Sequence, residues 1–547
     1  MKVRSDVLRI YQSIHTWTGI IAGIVLFIGF YAGALTMFKG AIEAWSMPPS
    51  LTLPQVPAEK LDDLVTQVLA QDDKAKTGFS LSLHDEHQSP MTWYQQGSER
   101  ELSMSNQIWH ASLDEQGQLL TQLSTPSELA ELVDQLHRTA GIAGEVGHDQ
   151  AGVYVLGIAA FLYFLALVSG VIFLLPSLTK TFFALRKNKG ENRFWLDAHN
   201  LIGITSLPFH LVISLTVIVF AFHDQLYDGL KHLVYGDKPL FAIPAPDRTL
   251  YSLTELPRVE TVLAKVKELA PDYQVNEMTY MNLDNPRATL RLGLYNPDGF
   301  MRGPVTDYLY MHPYTLTVSN STFDPSEGGI WSRTVAVFFG LHFGSFGGDL
   351  GRWVYFFLGL SGAFLFYSGN LLWLEKRRKK QAAEQSRASR LMASATVGVC
   401  LGSVAALAVS MLLGKWVYSY FSNINYVYLS AYYSIFVLLV AYAFWRGAAR
   451  AALLILPLCA VATLAMPLTS LLALVFPQLG LWAPYSTATL GVDLIALAFS
   501  AVFFYGYRLT RQRALYGPHD SVWALPIRSQ TSNVNAAVPA ADPKVPV

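Results

Sequence analysis

The chain has 547 residues, of which 52% are hydrophobic and only 15% charged, against roughly a quarter charged in an ordinary soluble domain. Forty Lys plus Arg balance forty Asp plus Glu, and no basic stretch is interleaved with aromatics, so a nucleic-acid surface is not indicated. The two cysteines, Cys400 and Cys459, both sit in apolar runs, which excludes a disulfide framework and a cysteine-based metal site.

The first element follows Lys2, Arg4 and Arg9. It is an apolar stretch from about Ile14 to Phe38, too long for a signal-peptide core and without a small-residue cleavage site behind it. It reads as a retained helix. Crossing a bilayer takes roughly 20 apolar residues, and eight runs qualify: 14–38, 150–175, 198–222, 352–374, 393–415, 426–445, 450–475 and 486–507. The basic clusters fall on one side of this eight-helix topology: the N-terminal three, Arg186 to Arg193, "LEKRRKK" at 374–380, Arg446 with Arg450, and Arg508 to Arg513. That bias puts both termini in the cytoplasm.

Two hydrophilic stretches, 45–145 and 224–340, must then lie outside, in the periplasm. Each opens with an amphipathic helical pattern, "EKLDDLVTQVLAQ" and "PRVETVLAKVKELAP". Each continues with alternating segments, "KTGFSLSLH" and "TWYQQ" in the first, "RATLRLGLYN" and "TDYLYMHP" in the second. Helix then strands predicts two small α+β domains. The predicted organisation is helix one over 1–44, an outside domain over 45–145, helices two and three over 146–223, a second outside domain over 224–340, helix four over 341–380, helices five to eight over 381–513, and a disordered cytoplasmic tail over 514–547.

An internal repeat organises residues 10–375. "IHTWTGIIAG" opens helix one and "AHNLIGI" helix three, giving His15/Gly19 and His199/Gly203 at the cytoplasmic end. "QLHRTAG" leads into helix two and "GLHFGSFGG" into helix four, giving His137 and His342 at the periplasmic end. Helices two and four then carry Ser169-Gly170 and Ser368-Gly369. Two-fold packing of the copies brings His15 towards His199 and His137 towards His342. Imidazole is a suitable axial ligand for haem iron, and a glycine four residues on removes bulk on the same helix face. The competing readings are polar anchors at the membrane interface, and a non-haem metal. A metal would want carboxylates at ligand spacing; Asp197 precedes His199 by two, but helix one has no matching acid near His15.

His210, deep in helix three, reads as an alternative ligand, a proton-relay group or a hydrogen-bonder to a neighbouring helix. His148 and His223, at the periplasmic ends of helices two and three, are possible replacements for His137 or His342, or solvated interfacial groups. His84, His87, His110, His232 and His312 fall in the outside domains, with "HDEH" at 84–87 read as a solvated loop. Trp17, Phe343 and Trp353 stand beside the sites, as porphyrin-packing rings or as interfacial belt.

"HTWTGIIAGIVLFIGFYAGAL", "DAHNLIGITSLPFHLVISLT" and "LHFGSFGGDLGRWVYFFLGLSGAFLFYSGNLLWLEKRRKK" resemble the PepSY-associated transmembrane proteins, over about 1–380. The resemblance implies a mainly α integral membrane protein of about eight transmembrane helices, with two periplasmic α+β PepSY-like domains inserted in a duplicated helix-pair core. Members of this family include iron-regulated inner-membrane proteins and haem-containing ferric-siderophore reductases. The resemblance therefore implies two b haems held by His15, His137, His199 and His342, and electrons delivered to a periplasmic ferric siderophore in the bacterial inner membrane. The first copy reads His-Thr-Trp-Thr-Gly, where the family often has a basic residue after the histidine. Helices five to eight lie outside the minimal family pattern; their ionisable groups are chiefly Lys415 and Asp493.

No strand–GxGxxG–helix unit is present for a dinucleotide, and the Gly-rich "GLHFGSFGGDLG" precedes a membrane helix instead. The electron donor is then a separate flavoprotein or a membrane quinol, and no catalytic residue is assigned. Two other classes compete. A membrane-anchored PepSY module regulating a peptidase needs no haem. A siderophore or iron transport component would show broken helices at the midplane, for which Pro208, two residues before His210, is the one hint in the repeat.

Overall fold

The computed structural model describes residues 4–49, 53–83, 89–96, 104–178, 182–231, 236, 249–323, 329–379 and 385–525. The "HDEH" segment, His232 and the tail from 526 on lie outside the described residues.

The first copy of the repeat begins with α1 (Ser5–Thr36), the first span, and a short α2 (Lys39–Ser46). An extramembrane unit follows: α3 (Leu61–Gln71), then β1 (Gly78–Ser82), β2 (Met91–Gln96), β3 (Gln107–Leu113) and β4 (Leu119–Ser124). The chain returns through α4 (Leu129–Thr139) and a hairpin, β5 (Glu145–Val146) and β6 (Asp149–Gln150), into the second span, α5 (Ala151–Leu174).

The second copy begins with a difference. The run 198–222, expected as one helix, is two: α6 (Glu191–Thr205) and α7 (Leu207–Ala221), bent by 67° at Ser206. Pro208 in the first turn of α7 has no N–H to offer α6, and its ring clashes with the preceding turn, so the axis turns there. A short α8 (His223–Leu230) follows. The second extramembrane unit is α9 (Val259–Leu269), β7 (Gln274–Met281), β8 (Thr289–Tyr295), β9 (Asp307–Met311) and β10 (Val318–Ser321). The copy closes with α10 (Gly329–Phe343) and the span α11 (Gly348–Arg378). Four further spans complete the membrane part: α12 (Arg387–Val417), α13 (Asn425–Arg446), α14 (Ala448–Val475) and α15 (Thr487–Tyr516). Among the described residues, seven helices are long and apolar enough to cross a bilayer, and the bent pair, counted as one span, makes eight.

Both expected α+β units form, and they fuse. β1 pairs antiparallel with β7, giving one eight-stranded sheet in the order β10-β9-β8-β7-β1-β2-β3-β4. Ser80 pairs with Thr279 and Leu81 with Met278 at this seam. Strand burial alternates, as in β9, so one sheet face is apolar. α3 and α9 cover that face. Leu61, Leu64 and Val68 of α3 and Val262 and Val266 of α9 share one core with Phe79, Leu81, Met278, Leu290 and Leu309.

In the membrane part, α1 packs between α5 and α11, α5 against α7, and α6 against α11. α4 lies on α1 as α10 lies on α7, so the duplication in sequence is a duplication in space. Spans α12 to α15 pack on one another and reach the repeat through α11 and α2. After Tyr516, where a disordered tail is expected, residues 517–525 fold back. Val522 and Trp523 are buried in the membrane core, and Ser521 Oγ donates to Glu375 at 2.7 Å.

The two ionisable groups singled out in helices five to eight converge on α2. Trp45 Nε1 donates to Asp493 Oδ1 at 2.9 Å. Lys415 Nζ lies 4.5 Å from the Trp45 ring centre and donates to Ser470 Oγ at 3.0 Å. Trp45→Phe would remove part of a fully buried ring and leave the Asp493 oxygen without that donor, a loss of at least about 1–3 kcal/mol. Thermal unfolding of the purified protein in detergent should show a Tm lower by several degrees; an unchanged Tm would mean the bond contributes nothing.

Candidate functional site

The duplicated packing sets four histidines in two pairs. His15 on α1 turns to α5, where its Nδ1 donates to the Ala166 carbonyl at 2.8 Å. The ring rests on Gly170, where a Cβ would come within 2.8 Å of Nδ1. His199 on α6 makes the equivalent approach to α11. Its Nδ1 is 3.0 Å from Ser368 Oγ and its ring lies on Gly369. Both Ser-Gly pairs of the sequence are therefore seats for an imidazole. His15 and His199 thus take equivalent seats in the two copies of the repeat.

The other two sit at the sheet-bearing face. His137 on α4 donates from Nδ1 to the Gly29 carbonyl of α1 at 2.8 Å, with its ring against Gly33. His342 on α10 has Nδ1 2.9 Å from Thr216 Oγ1 on α7. The rings of His137 and His342 face each other with centres 6.0 Å apart and planes 31° apart. Gly29 is fourteen residues along α1 from His15, so the two pairs are separated by roughly 20 Å.

The hydrogen bonds fix the tautomers. A carbonyl only accepts, so His15 and His137 carry the proton on Nδ1. Ser368 donates its hydroxyl to Leu365 O, and Thr216 donates to Val212 O; both hydroxyls therefore accept from His199 and His342. All four rings are Nδ1–H, and among the described residues none of the four Nε2 atoms has a hydrogen-bond partner. An imidazole tied at one nitrogen by a backbone or side-chain acceptor presents the lone pair of the other to a metal.

A cavity of about 2690 Å³ opens between the spans. It reaches His137, His342, Gly29, Gly33 and Val217, and runs on between Tyr367 and Leu371 of α11 and Phe499 and Phe503 of α15. This exceeds the roughly 300–1,000 Å³ of a small-ligand site. A Cβ at Gly19 would meet nothing, and one at Gly203 only Leu365, so packing within the protein does not demand these glycines.

His210 belongs to neither pair. It is fully buried where the broken span resumes, with its ring against Phe30 at 5.7 Å, Tyr163 at 5.9 Å and Phe209 at 5.2 Å. It packs on Gly362 of α11, seven residues or roughly 10 Å along the helix from Gly369. Its Nδ1 and the Tyr163 hydroxyl are buried without a hydrogen-bond partner. Asp197, the acid weighed as a metal ligand, is held instead by Arg186 at 2.7 Å and Arg193 at 3.1 Å. His148 and His223 do not replace either member of the His137–His342 pair; the structure brings both to Asp224. His110 lies in the sheet between Ser89 and Ser124, and burial holds its imidazole down at about 4, neutral at physiological pH. Of the three aromatics singled out, Phe343 lies against a histidine, His342, at 5.6 Å, while Trp353 packs on Phe38 and Trp17 on Trp373.

Sequence reasoning missed the acceptors at Gly29, Ala166 and Thr216 and the central rings Phe30, Tyr163 and Phe366. The Ser-Gly pairs were the one signal available, since they recur at matched depth.

These features define a multi-pass membrane protein whose duplicated helix pairs carry a shared α+β body on one face and two histidine pairs between the helices. The chain belongs to the family described as the PepSY-associated TM region, whose model matches residues 12–376. No curated protein matches the chain significantly.

Gly33→Ala places a carbon within 2.6 Å of His137 Nδ1 and should cost about 1–3 kcal/mol, read as a lower Tm. Gly229→Ala, where an added Cβ meets nothing within 4 Å, should leave Tm unchanged. Equal Tm values for the two variants would contradict the seating of His137.

Proposed function

We propose that the chain is a transmembrane haem protein of the bacterial inner membrane that reduces a periplasmic ferric siderophore and so releases Fe(II) for uptake. One observation carries the reading: four histidines, in two symmetric pairs roughly 20 Å apart, each spend Nδ1 on the protein and keep Nε2 free.

The residues fit the group. His137 and His342 stand with ring centres 6.0 Å apart, and neither has its Nε2 in a hydrogen bond among the described residues. These two would hold one haem b, and His15 with His199 a second. Bound there, haem supplies one-electron redox chemistry that no side chain offers. The protein's part is positional. Ala166, Gly29, Ser368 and Thr216 hold the rings in one tautomer and orientation. The apolar spans exclude water. Phe30, Tyr163, His210 and Phe366 fill the space between the two levels with aromatic contacts at 4.7 to 5.9 Å.

Arg513 joins Glu191 at the start of α6 to Glu375 near the end of α11, which gathers the basic helix ends on the face opposite the sheet. The positive-inside rule makes that face cytoplasmic, with both termini, and the sheet periplasmic. A ferric siderophore would take its electron at the sheet-bearing face. Fe(III) bound by hard oxygens becomes Fe(II), which such chelators hold less tightly, and the metal is released. The donor is a membrane quinol or a separate flavoprotein; the apolar crevice between α11 and α15 favours the quinol.

A transport role for siderophore or iron would draw on the broken span at Ser206. A PepSY module regulating a peptidase would use only the sheet body. The regulator gives four imidazoles no reason to keep Nε2 free, and iron transport gives none for two fixed pairs roughly 20 Å apart. The two are separated from reduction by mixing dithionite-reduced protein anaerobically with a ferric trihydroxamate chelate. Reoxidation of the protein should follow with stoichiometric Fe(II), and His342→Ala should slow it at least about tenfold. Reduced wild-type protein that the chelate leaves unoxidised would rule out the reductase reading.

A further inference from the structure

The tripeptide His-Asp-Gln occurs twice, at 148–150 before α5 and at 223–225 opening α8. The fold brings the two copies together. His148 Nε2 lies 2.6 Å from Asp224 Oδ2, and His223 Nε2 lies 3.3 Å from Asp224 Oδ1. The ligand atoms of His148, Asp149 and Asp224 all fall within 4.8 Å of one another. We infer that this cluster is a divalent-cation site on the sheet-bearing face, with His148, Asp149 and Asp224 as its donors and His223 flanking Asp224.

Three features separate it from a chance surface ion pair. The first copy is presented by a tight hairpin. β5 and β6 are joined by Gly147 and His148, and Gly147 has φ +69°, so the turn fixes where His148 and Asp149 stand. The second is the tautomer of His223. Its Nδ1 donates to the Phe220 carbonyl at 2.8 Å, which turns Nε2 towards Asp224. The third is an outer layer of hydrogen bonds: Tyr154 donates its hydroxyl to Asp149 Oδ2 at 3.1 Å, and Gln225 of the second copy reaches Tyr154 at 3.5 Å. An imidazole with two carboxylates suits Fe(II), Co(II) and Zn(II) better than Mg(II) or Ca(II). His148 is 77% exposed, so a cation reaches the cluster from solution.

The cluster adjoins the His137–His342 pair through one residue. Phe220, whose carbonyl orients His223, lays its ring 4.9 Å from the ring of His342. The site is thus placed to accept the Fe(II) released by reduction and keep it from returning to the chelate; that role, unlike the binding itself, rests on the ferric-siderophore reading.

The test is calorimetric titration of Co2+ into full-length protein in detergent, stripped with EDTA and freed of any polyhistidine tag. Co2+ stands in for Fe2+ without its air oxidation. One Co2+ per chain should bind, and Asp224→Asn and His148→Ala should each weaken it at least about tenfold. Asp228→Asn, a nearby acid outside the cluster, should leave it unchanged. Wild-type protein that shows no saturable binding, or binding that Asp224→Asn does not alter, would overturn the site. Protein that binds Co2+ here but leaves ferric chelate unreduced would retain the site and lose the reductase reading. Protein that reduces the chelate but binds no Co2+ would do the reverse.

Discussion

An imidazole inside an apolar slab must find partners for both nitrogens, because each buried polar atom left alone costs about 1–3 kcal/mol. Most of this structure can be read as the way that constraint is half met four times over. His15, His137, His199 and His342 each give Nδ1 to a neighbouring helix of the same copy of the repeat. The acceptors are two backbone carbonyls in the first copy and two hydroxyls in the second, so the chemistry of the tie differs while its geometry is kept. What is kept is the free Nε2, and that is the atom a metal centre uses.

The duplication that produces the pairs runs through the whole chain up to α11. Each copy contributes one histidine seated on a Ser-Gly pair and one on a short helix outside the span. Each also contributes half of an eight-stranded sheet, and β1–β7 pairing joins the halves into a single core. A sheet that bridges both copies holds α1 and the α6–α7 pair in register from above, while α1 lies between α5 and α11 within the membrane. The His-Asp-Gln tripeptide follows the same logic, one copy before α5 and one after α7. The second copy departs from the first at Ser206, where the bend lets His199 and His210 belong to different helix axes.

Apolar run length made the spans legible, because a bilayer imposes a length that sequence shows directly. The matched depth of the histidines made their pairing legible too. The alternating stretches that became β1, β2, β8 and β9 could be read, while β3, β4, β7 and β10 carry weaker alternation and form by pairing with neighbours. Sheet fusion was hidden, since nothing local in Gly78–Ser82 announces β7 as its partner. The bend had a visible cause in Pro208, but a proline in a membrane helix is often absorbed by a kink. The acceptors at Gly29 and Ala166 are main-chain carbonyls, which every residue has and no sequence distinguishes. Trp523 and Val522 sit in a stretch whose neighbours are polar and Pro-rich, and only contact with α11 reveals that it packs.

The account stands on what occupies the free nitrogens, and that is read most directly from the absorption of the purified protein, oxidised and then reduced with dithionite, with a pyridine haemochrome assay for stoichiometry. The proposed function predicts two b haems per chain with sharp reduced α and β bands. His15→Ala and His137→Ala should each remove about one. A colourless protein from cells supplied with haem, or a full haem complement in both variants, would contradict it.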